Sequence, residues 1–365
     1  MSNLKKEKII WSSLFISSIF LYVLTDIPNM FFMIIILLIY GGMALGLTKL
    51  TGRNLTVQFM GVLQGQKKEV LKVEVSVKNE DKLPVCCGAL IFKVKNKLTE
   101  ECIFIKKQIS LLAKSEKTLK FALESEFSGG IEISLHKIEV FDPFRLFVHV
   151  EKQDICAISY IFPSIAKLDV GEEILEQYDM ESYNYSLSQK GDDSSEIFGI
   201  RSYIPGDSMK LIHWKLSGKL GEIMVRESSL PVENNLMILM DKRVKKGEKI
   251  AIETIDKMTE LFLSLSHAIL KQGVPHTIGW YNYERSLFEA YQISSVDHIY
   301  SSLQELLCSP VRENILSSVD QFIESDHKKN YALYLYVTED DEAEKDAEKL
   351  RIYGNVKIYR TKECF

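Results

Sequence analysis

The chain's 365 residues, 46% hydrophobic and 26% charged, describe a folded protein and not a disordered one, and the length predicts about two or three folded units. A formal net charge of −5 excludes a nucleic-acid binder whose whole surface is basic. The six cysteines (Cys86, Cys87, Cys102, Cys156, Cys308, Cys364) carry no C-x-x-C pair and no zinc-finger spacing, so free thiols in a reducing compartment are expected.

The N-terminus opens with two apolar runs, Ile9 to Leu24 and Met30 to Leu47, joined by the polar turn Thr25-Asp26-Ile27-Pro28-Asn29. Each run is near the lower limit for crossing a bilayer, about 17 residues. A cleaved signal peptide would show a small-residue cleavage pattern and would not be followed at once by a second apolar run. Residues 1–50 are therefore expected to form a transmembrane hairpin. Lys5, Lys6 and Lys8 precede the first run, Lys49 and Arg53 follow the second, and the turn has no Lys or Arg. By the positive-inside rule both termini and the soluble domains are expected in the cytoplasm, in a multi-pass protein of the cell membrane.

Over residues 51–155 the period changes to two. Leu71, Val73, Val75 and Val77 alternate with Lys72, Glu74, Ser76 and Lys78, the pattern of a half-buried strand. Leu119, Phe121 and Leu123 repeat it, as do Ile131, Ile133 and Leu135, and the phase then slips at Lys137 as a β-bulge requires. Short polar turns between such strands predict an antiparallel, immunoglobulin-like β-sandwich. It closes in Phe141-Asp142-Pro143-Phe144-Arg145-Leu146-Phe147, where Asp-Pro marks a turn.

Residues 156–230 read as a connector and a dense motif. Gly171 to Lys190 is acidic and rich in Ser, Tyr and Gln, a predicted surface loop. Gly199 to Glu227 then reads GIRSYIPGDSMKLIHWKLSGKLGEIMVRE. Pro205-Gly206 predicts a type II turn, because proline pre-sets φ and glycine takes the φ > 0 position that other residues resist. Strand-like runs are expected on both sides of it, the second over Leu211-Ile212-His213-Trp214-Lys215. A Gly-containing turn over Ser217 to Gly221 and a short apolar run, Ile223-Met224-Val225, follow. Arg201, Asp207, Lys210, His213, Lys215, Lys219, Arg226 and Glu227 interleave with this apolar material, which predicts a fixed polar network.

Residues 231–365 change grammar again. Leu236 to Met240 is a continuous apolar run ending in Asp241, as a buried parallel strand reads. Ala251, Ile255, Met258, Phe262, Leu265 and Ile269 mark one face of a helix that stops near Gly273. Strands are predicted at Thr277 to Tyr281, Tyr331 to Val337 and Val356 to Tyr359, with helices at Val296 to Leu307, Val319 to Glu324 and Asp341 to Arg351. Alternating strands and helices give a parallel sheet in an α/β layer fold. The chain is thus multi-domain: a two-helix transmembrane hairpin, an antiparallel β-sandwich, then an α/β domain with a parallel sheet.

Together these parts resemble the bacterial domain-of-unknown-function 58 family over nearly the whole chain. Its signature, R-x-Y-x-P-G-D-x-x-[KR]-x-I-x-W-[KR]-x-[ST]-[AG]-[RK], is matched by Arg201, Tyr203, Pro205, Gly206, Asp207, Lys210, Ile212, Trp214, Lys215, Ser217, Gly218 and Lys219. The sequence departs from the family at Ser202, where Glu is common, and at Arg145, where a DPFGLF-like motif has glycine. The C-terminal region is similar to a von Willebrand factor A domain. The resemblance implies two partners, a MoxR-type AAA+ ATPase and a transglutaminase-like membrane protein, besides the lipid bilayer, and it implies no reaction.

Three chemical readings follow. A-domains bind Mg²⁺ through D-x-S-x-S after the first strand, whereas Asp241-Lys242-Arg243-Val244-Lys245 offers cations at the hydroxyl positions, and Asp340 alone is a weak second ligand. No metal and no cofactor are expected, and Asp241 is expected to pair with its basic neighbours. Asp207 and His213 are the candidate acid–base pair of a hydrolytic or metal-dependent enzyme, yet no nucleophile or electrophilic stabiliser stands at a telling spacing, so no catalytic residue is assigned. The Arg201–Lys219 cluster also suits a phosphate or anionic headgroup, against a structural charge network. Lys210, His213, Trp214, Lys215 and Lys219 have a nucleic-acid flavour, but the acidic total and the missing motifs argue against that partner. The expected function is a non-enzymatic membrane scaffold that docks a partner through its A-like domain.

Overall fold

The structure, a computed structural model, describes residues 2–25, 28–61, 63–143, 145–168, 184–232, 236–244, 250–313 and 316–364. The chain divides into two compact units, Met1–Glu126 with Gly130–Phe162, and Phe127–Gly129 with Pro163–Phe365.

The first unit begins with α1 (Ser2–Thr25) and α2 (Pro28–Leu50). Their segments Lys6–Thr25 and Asn29–Leu50 are long and apolar enough to cross a membrane, and almost all of each is left uncovered by the rest of the chain. Asp26 and Ile27 of the predicted turn lie outside the described residues.

The β-rich part comprises β1 (Leu55–Phe59), β2 (Gln64–Gln66), β3 (Leu71–Asn79), β4 (Val85–Asn96), β5 (Cys102–Leu111), β6 (Glu116–Leu123), β7 (Gly129–Phe141), β8 (Val148–Glu151) and β9 (Cys156–Phe162). One sheet runs β1-β3-β6, and the other runs β2-β9-β7-β4-β5 with β8 against β7. Alternation turns Val73, Val75 and Val77 of the first sheet and Leu90, Phe92, Ile133 and Ile138 of the second into one shared buried core. The predicted phase slip is a bulge: Ile91 pairs with Lys137 and Phe92 with Leu135, so the register skips His136.

Two details differ from the expectation of an antiparallel sandwich ending at residue 155. The strand β9 falls within the predicted connector, and β2 pairs with it in parallel. At the Asp-Pro turn, Arg145 adopts φ +56°, the left-handed region that suits glycine, with its N–H donating to Asp142 O at 3.0 Å. Phe144 of that motif is outside the described residues.

In the second unit, β10 (Asn184–Ser202) leads through a 3₁₀ turn, Met209–Leu211, to α3 (Trp214–Leu220) and β11 (Met224–Val232). β10 and β11 form a two-stranded antiparallel ribbon with several register shifts. The loop expected over 171–190 is corrected from Asn184 onward, where the backbone is already strand; residues 171–183 lie outside the described part.

The α/β region follows as β12 (Leu236–Met240), β13 (Arg243–Val244), α4 (Ile252–Lys271), β14 (His276–Asn282), β15 (Leu287–Ile293), α5 (Val296–Cys308), β16 (Arg312–Glu313), α6 (Ser318–Glu324), β17 (Leu333–Val337), α7 (Ala343–Arg351), β18 (Asn355–Tyr359) and α8 (Thr361–Cys364). Its five-stranded sheet has the order β15-β14-β12-β17-β18. The sheet is mixed rather than wholly parallel, because a short hairpin returns β15 antiparallel to β14. Both faces are covered. Phe262 of α4 meets Trp280 of β14 edge-on at 6.4 Å, while Val319, Phe322, Ala343 and Leu350 of α6 and α7 pack with Met237 and Leu239 of β12. The predicted stripe on α4 is buried from Ile255 to Ile269, and Gly273 ends the element at φ +79°. Strand β12 neighbours β14 on one side and β17 on the other, so the direction of winding reverses at its carboxyl end.

Candidate functional site

The motif around Asp207 is built on the ribbon. Arg201 on β10 lies opposite Val225 on β11, and Gly199 lies opposite Glu227, so Arg201 and Glu227 are diagonal neighbours on one face. A Cβ at Gly199 would sit 3.4 Å from Glu227 Oε2, in contact with that carboxylate but not in collision with it. Beyond β10 the chain turns over Ile204 to Asp207, with Asp207 N–H donating to Ile204 O at 3.0 Å and Gly206 at φ +112°. This is the glycine conformation that the Pro-Gly pair predicts.

The turn returns Asp207 to Arg201. The guanidinium Nη1 and Nη2 each donate to one carboxylate oxygen at 2.7 Å, and Nε donates to Glu227 at 2.8 Å. Ile204 N–H adds a bond to Asp207 at 2.9 Å. The Arg201 bonds and then that backbone bond hold the Asp207 carboxyl down at about 2, and the two carboxylates push the guanidinium above its ordinary value. Ser202, where the resembled family commonly has Glu, has an exposed side chain, and Arg201 is already paired with two carboxylates without it.

The half of the motif after the turn is helical, not strand. Met209–Leu211 is a 3₁₀ turn, and Trp214–Leu220 is α3. His213 explains the change, because its Nδ1 accepts from Leu216 N–H at 3.3 Å as the N-cap of α3, and Gly221 closes the helix at φ +73°. Ser217 ties α3 to β11: its hydroxyl accepts from Met224 N–H at 2.8 Å and donates to His213 O at 3.0 Å. Tyr203 N–H donates to Ile223 O at 2.8 Å, and Ile212 forms an isolated bridge with Val225. The structure therefore brings together Arg201, Asp207 and Glu227, and separately His213 and Ser217. Lys210, Trp214, Lys215, Lys219 and Arg226 are exposed, and among the described residues none of the four cations pairs with a carboxylate.

At the carboxyl end of β12 a second cluster forms where the metal reading pointed. Asp241 is buried and accepts from Ser318 N–H at 3.2 Å, Ser318 Oγ at 3.0 Å, Arg243 N–H at 3.1 Å and Tyr336 OH at 3.0 Å. Burial raises its pKa against the pull of Arg243. The Arg243 guanidinium lies 3.7 Å from Asp241, donates to Asp346 at 3.0 Å and also pairs with Asp340. Burial alone would lower its pKa, and these carboxylates outweigh that. The protein's own cation thus stands among the carboxylates, and among the described residues no group of three or more His, Cys, Asp or Glu is placed to hold a metal. Lys245 of the motif lies outside the described residues. Sequence reasoning missed Ser318, Tyr336 and Asp346, which arrive from distant elements. It also missed Lys242, whose buried Nζ donates to Ser309 O at 3.0 Å and whose pKa burial pulls down to about 7.

Residues 199–287 match the family described as Protein of unknown function DUF58. This covers the signature and the first strands of the α/β region. A relative in Bacillus subtilis (strain 168), the uncharacterized protein YeaD, is 25% identical over 95 residues, which span 26% of this chain and 22% of that protein. Among solved structures, the CARDB domain of the PF1109 protein from Pyrococcus furiosus is 21% identical, covering 30% of this chain and 90% of that one at a TM-score of 0.22. A β-glucosidase from Listeria innocua is 16% identical, covering 30% of this chain and 16% of the enzyme at a TM-score of 0.20. Likeness at these scores carries nothing about function.

Proposed function

We propose that the protein is a membrane-anchored, non-enzymatic scaffold or adaptor in a bacterial cell-envelope system. In this reading α1 and α2 form a transmembrane hairpin with both termini and the soluble parts in the cytoplasm. The β-rich part is an immunoglobulin-like sandwich, and the C-terminal part is a von Willebrand factor A-like domain that docks a partner. By family resemblance that partner is a MoxR-type AAA+ ATPase, with a transglutaminase-like membrane protein the second candidate.

One observation carries the reading: Arg201, Asp207 and Glu227, the charged groups at the turn, are spent on each other. Asp207, held at about 2 by Arg201, is a poor proton acceptor near neutral pH, and His213 uses its Nδ1 to cap a helix. The alternative of a hydrolytic or metal-dependent enzyme centred on this pair needs both groups free. An anion binder centred on Arg201 would have to displace two carboxylates. Crosslinking in intact membranes followed by capture of the full chain separates the readings. Recovery of an AAA+ ATPase is the expected result. Substrate turnover that disappears in His213→Ala would overturn the proposal.

A further inference from the structure

The locked turn carries an outward surface that the locking does not use. At about 100° per residue, Trp214, Gly218, Lys215 and Lys219 form one continuous arc of α3. All four are exposed, while Leu216 and Ser217 turn inward. Trp214 is 69% exposed, and a Cβ built on Gly218 would meet nothing within 4 Å, so this side of α3 is open at both positions. Leu220 at the end of α3 is also exposed, and the segments on either side of the helix add Met209, 75% exposed, and the exposed Ile204 and Ile223. Between Ser208 and Arg226 the sequence holds Lys210, Lys215, Lys219 and Arg226 against the single acid Glu222. Large exposed apolar side chains interspersed within one short segment with cations that have no carboxylate partner among the described residues mark an interaction surface.

We infer that this face seats on anionic lipid headgroups at a bilayer surface, the lysines on the phosphates and Trp214 and Met209 in the headgroup–acyl boundary. The chemistry fits, since an aromatic–apolar cluster rimmed by lysines is the composition of interfacial segments. Each Lys near an anionic leaflet adds attraction that salt screens. The apolar groups protrude from a turn and a short helix, and a fluid interface accepts protrusions that a folded partner would have to match with pockets. The inference rests on the membrane-anchored reading, because a tethered patch meets the bilayer at high effective concentration and a weak site then suffices.

The test uses the full chain in nanodiscs of brominated phosphatidylcholine, with or without phosphatidylglycerol. Trp214 fluorescence is taken as the difference between wild type and Trp214→Phe, since Trp11 and Trp280 remain in both. Expected is bromine quenching of the Trp214 component in discs with phosphatidylglycerol, its loss in high salt, and its loss in a variant carrying Lys210→Gln, Lys215→Gln and Lys219→Gln. A chain that incorporates into discs with Trp214 unquenched, or quenched equally without phosphatidylglycerol, overturns this inference alone. Protection of Trp214 only by an added acidic protein does the same. Failure to incorporate overturns the anchoring reading and this inference with it.

Discussion

Arg201 holds both oxygens of Asp207, one through each terminal nitrogen at 2.7 Å, although the two residues are only six apart along the chain. The fork closes the loop that the Pro205-Gly206 turn bends, and Glu227 takes the remaining Nε. Planar, bidentate geometry of this kind suits a guanidinium and is beyond a lysine ammonium. A turn fixed this way presents α3 in one orientation.

The turn depends on Gly206. At φ +112° with no neighbour within 4 Å of a built Cβ, the obstacle to another residue there is backbone conformation and not crowding. Gly206→Val should therefore cost about 1–3 kcal/mol. The melting temperature should fall by roughly 2–4 °C for each kcal/mol in a unit of this size. Thermal unfolding followed by circular dichroism checks it, and an unchanged melting temperature would remove the strain argument.

Arg145 offers the opposite experiment. It occupies φ +56° where the resembled family has glycine, and a side chain in that region costs about 1 kcal/mol or slightly more. Arg145→Gly should raise stability by about that amount, less the added flexibility of the unfolded chain. A clear loss of stability would show that the Arg145 contact to Cys87 Sγ, at 3.5 Å, matters more than the backbone.

How these features read from sequence depends on the distance between cause and effect. The strands of the β-rich part and the stripe of α4 were legible because burial imposes a period on consecutive residues. The Gly206 turn was legible because two adjacent residues dictate it. Helix α3 was not, since WKLSGKL is too short to show a period and its start is set by the His213 ring, a tertiary-like detail inside a run that resembles a strand. The parallel pairing of β2 with β9 joins segments about a hundred residues apart, and nothing local encodes it. The Arg243 cluster drew Asp340 from the sequence but not Ser318, Tyr336 or Asp346, whose roles exist only once α6, β17 and α7 surround the end of β12.

Lys242 makes a prediction about pH. Burial lowers its pKa to about 7 from an ordinary 10.5. Between those values the unfolded chain holds a proton that the folded chain has released, so this group makes stability rise with pH across that window. Below about pH 7 both states are protonated and its contribution is flat. The slope is about 1.4 kcal/mol per pH unit at most. Unfolding free energies of wild type and Lys242→Met measured from pH 6 to 10 should diverge with that sign. Parallel profiles would mean that the ammonium is not desolvated in the folded protein.

In the proposed function Asp207 serves the architecture of the signature and not a reaction, and the melting temperature of full-length Asp207→Ala decides between the two. Removing the carboxylate frees two Arg201 donors and the Ile204 N–H, so the melting temperature should fall by several degrees and capture of the partner should fall with it. Asp207→Asn, which retains one acceptor oxygen, should fall between the two. A melting temperature equal to wild type in both variants, with a measurable turnover abolished, would contradict the account and place Asp207 in a catalytic site.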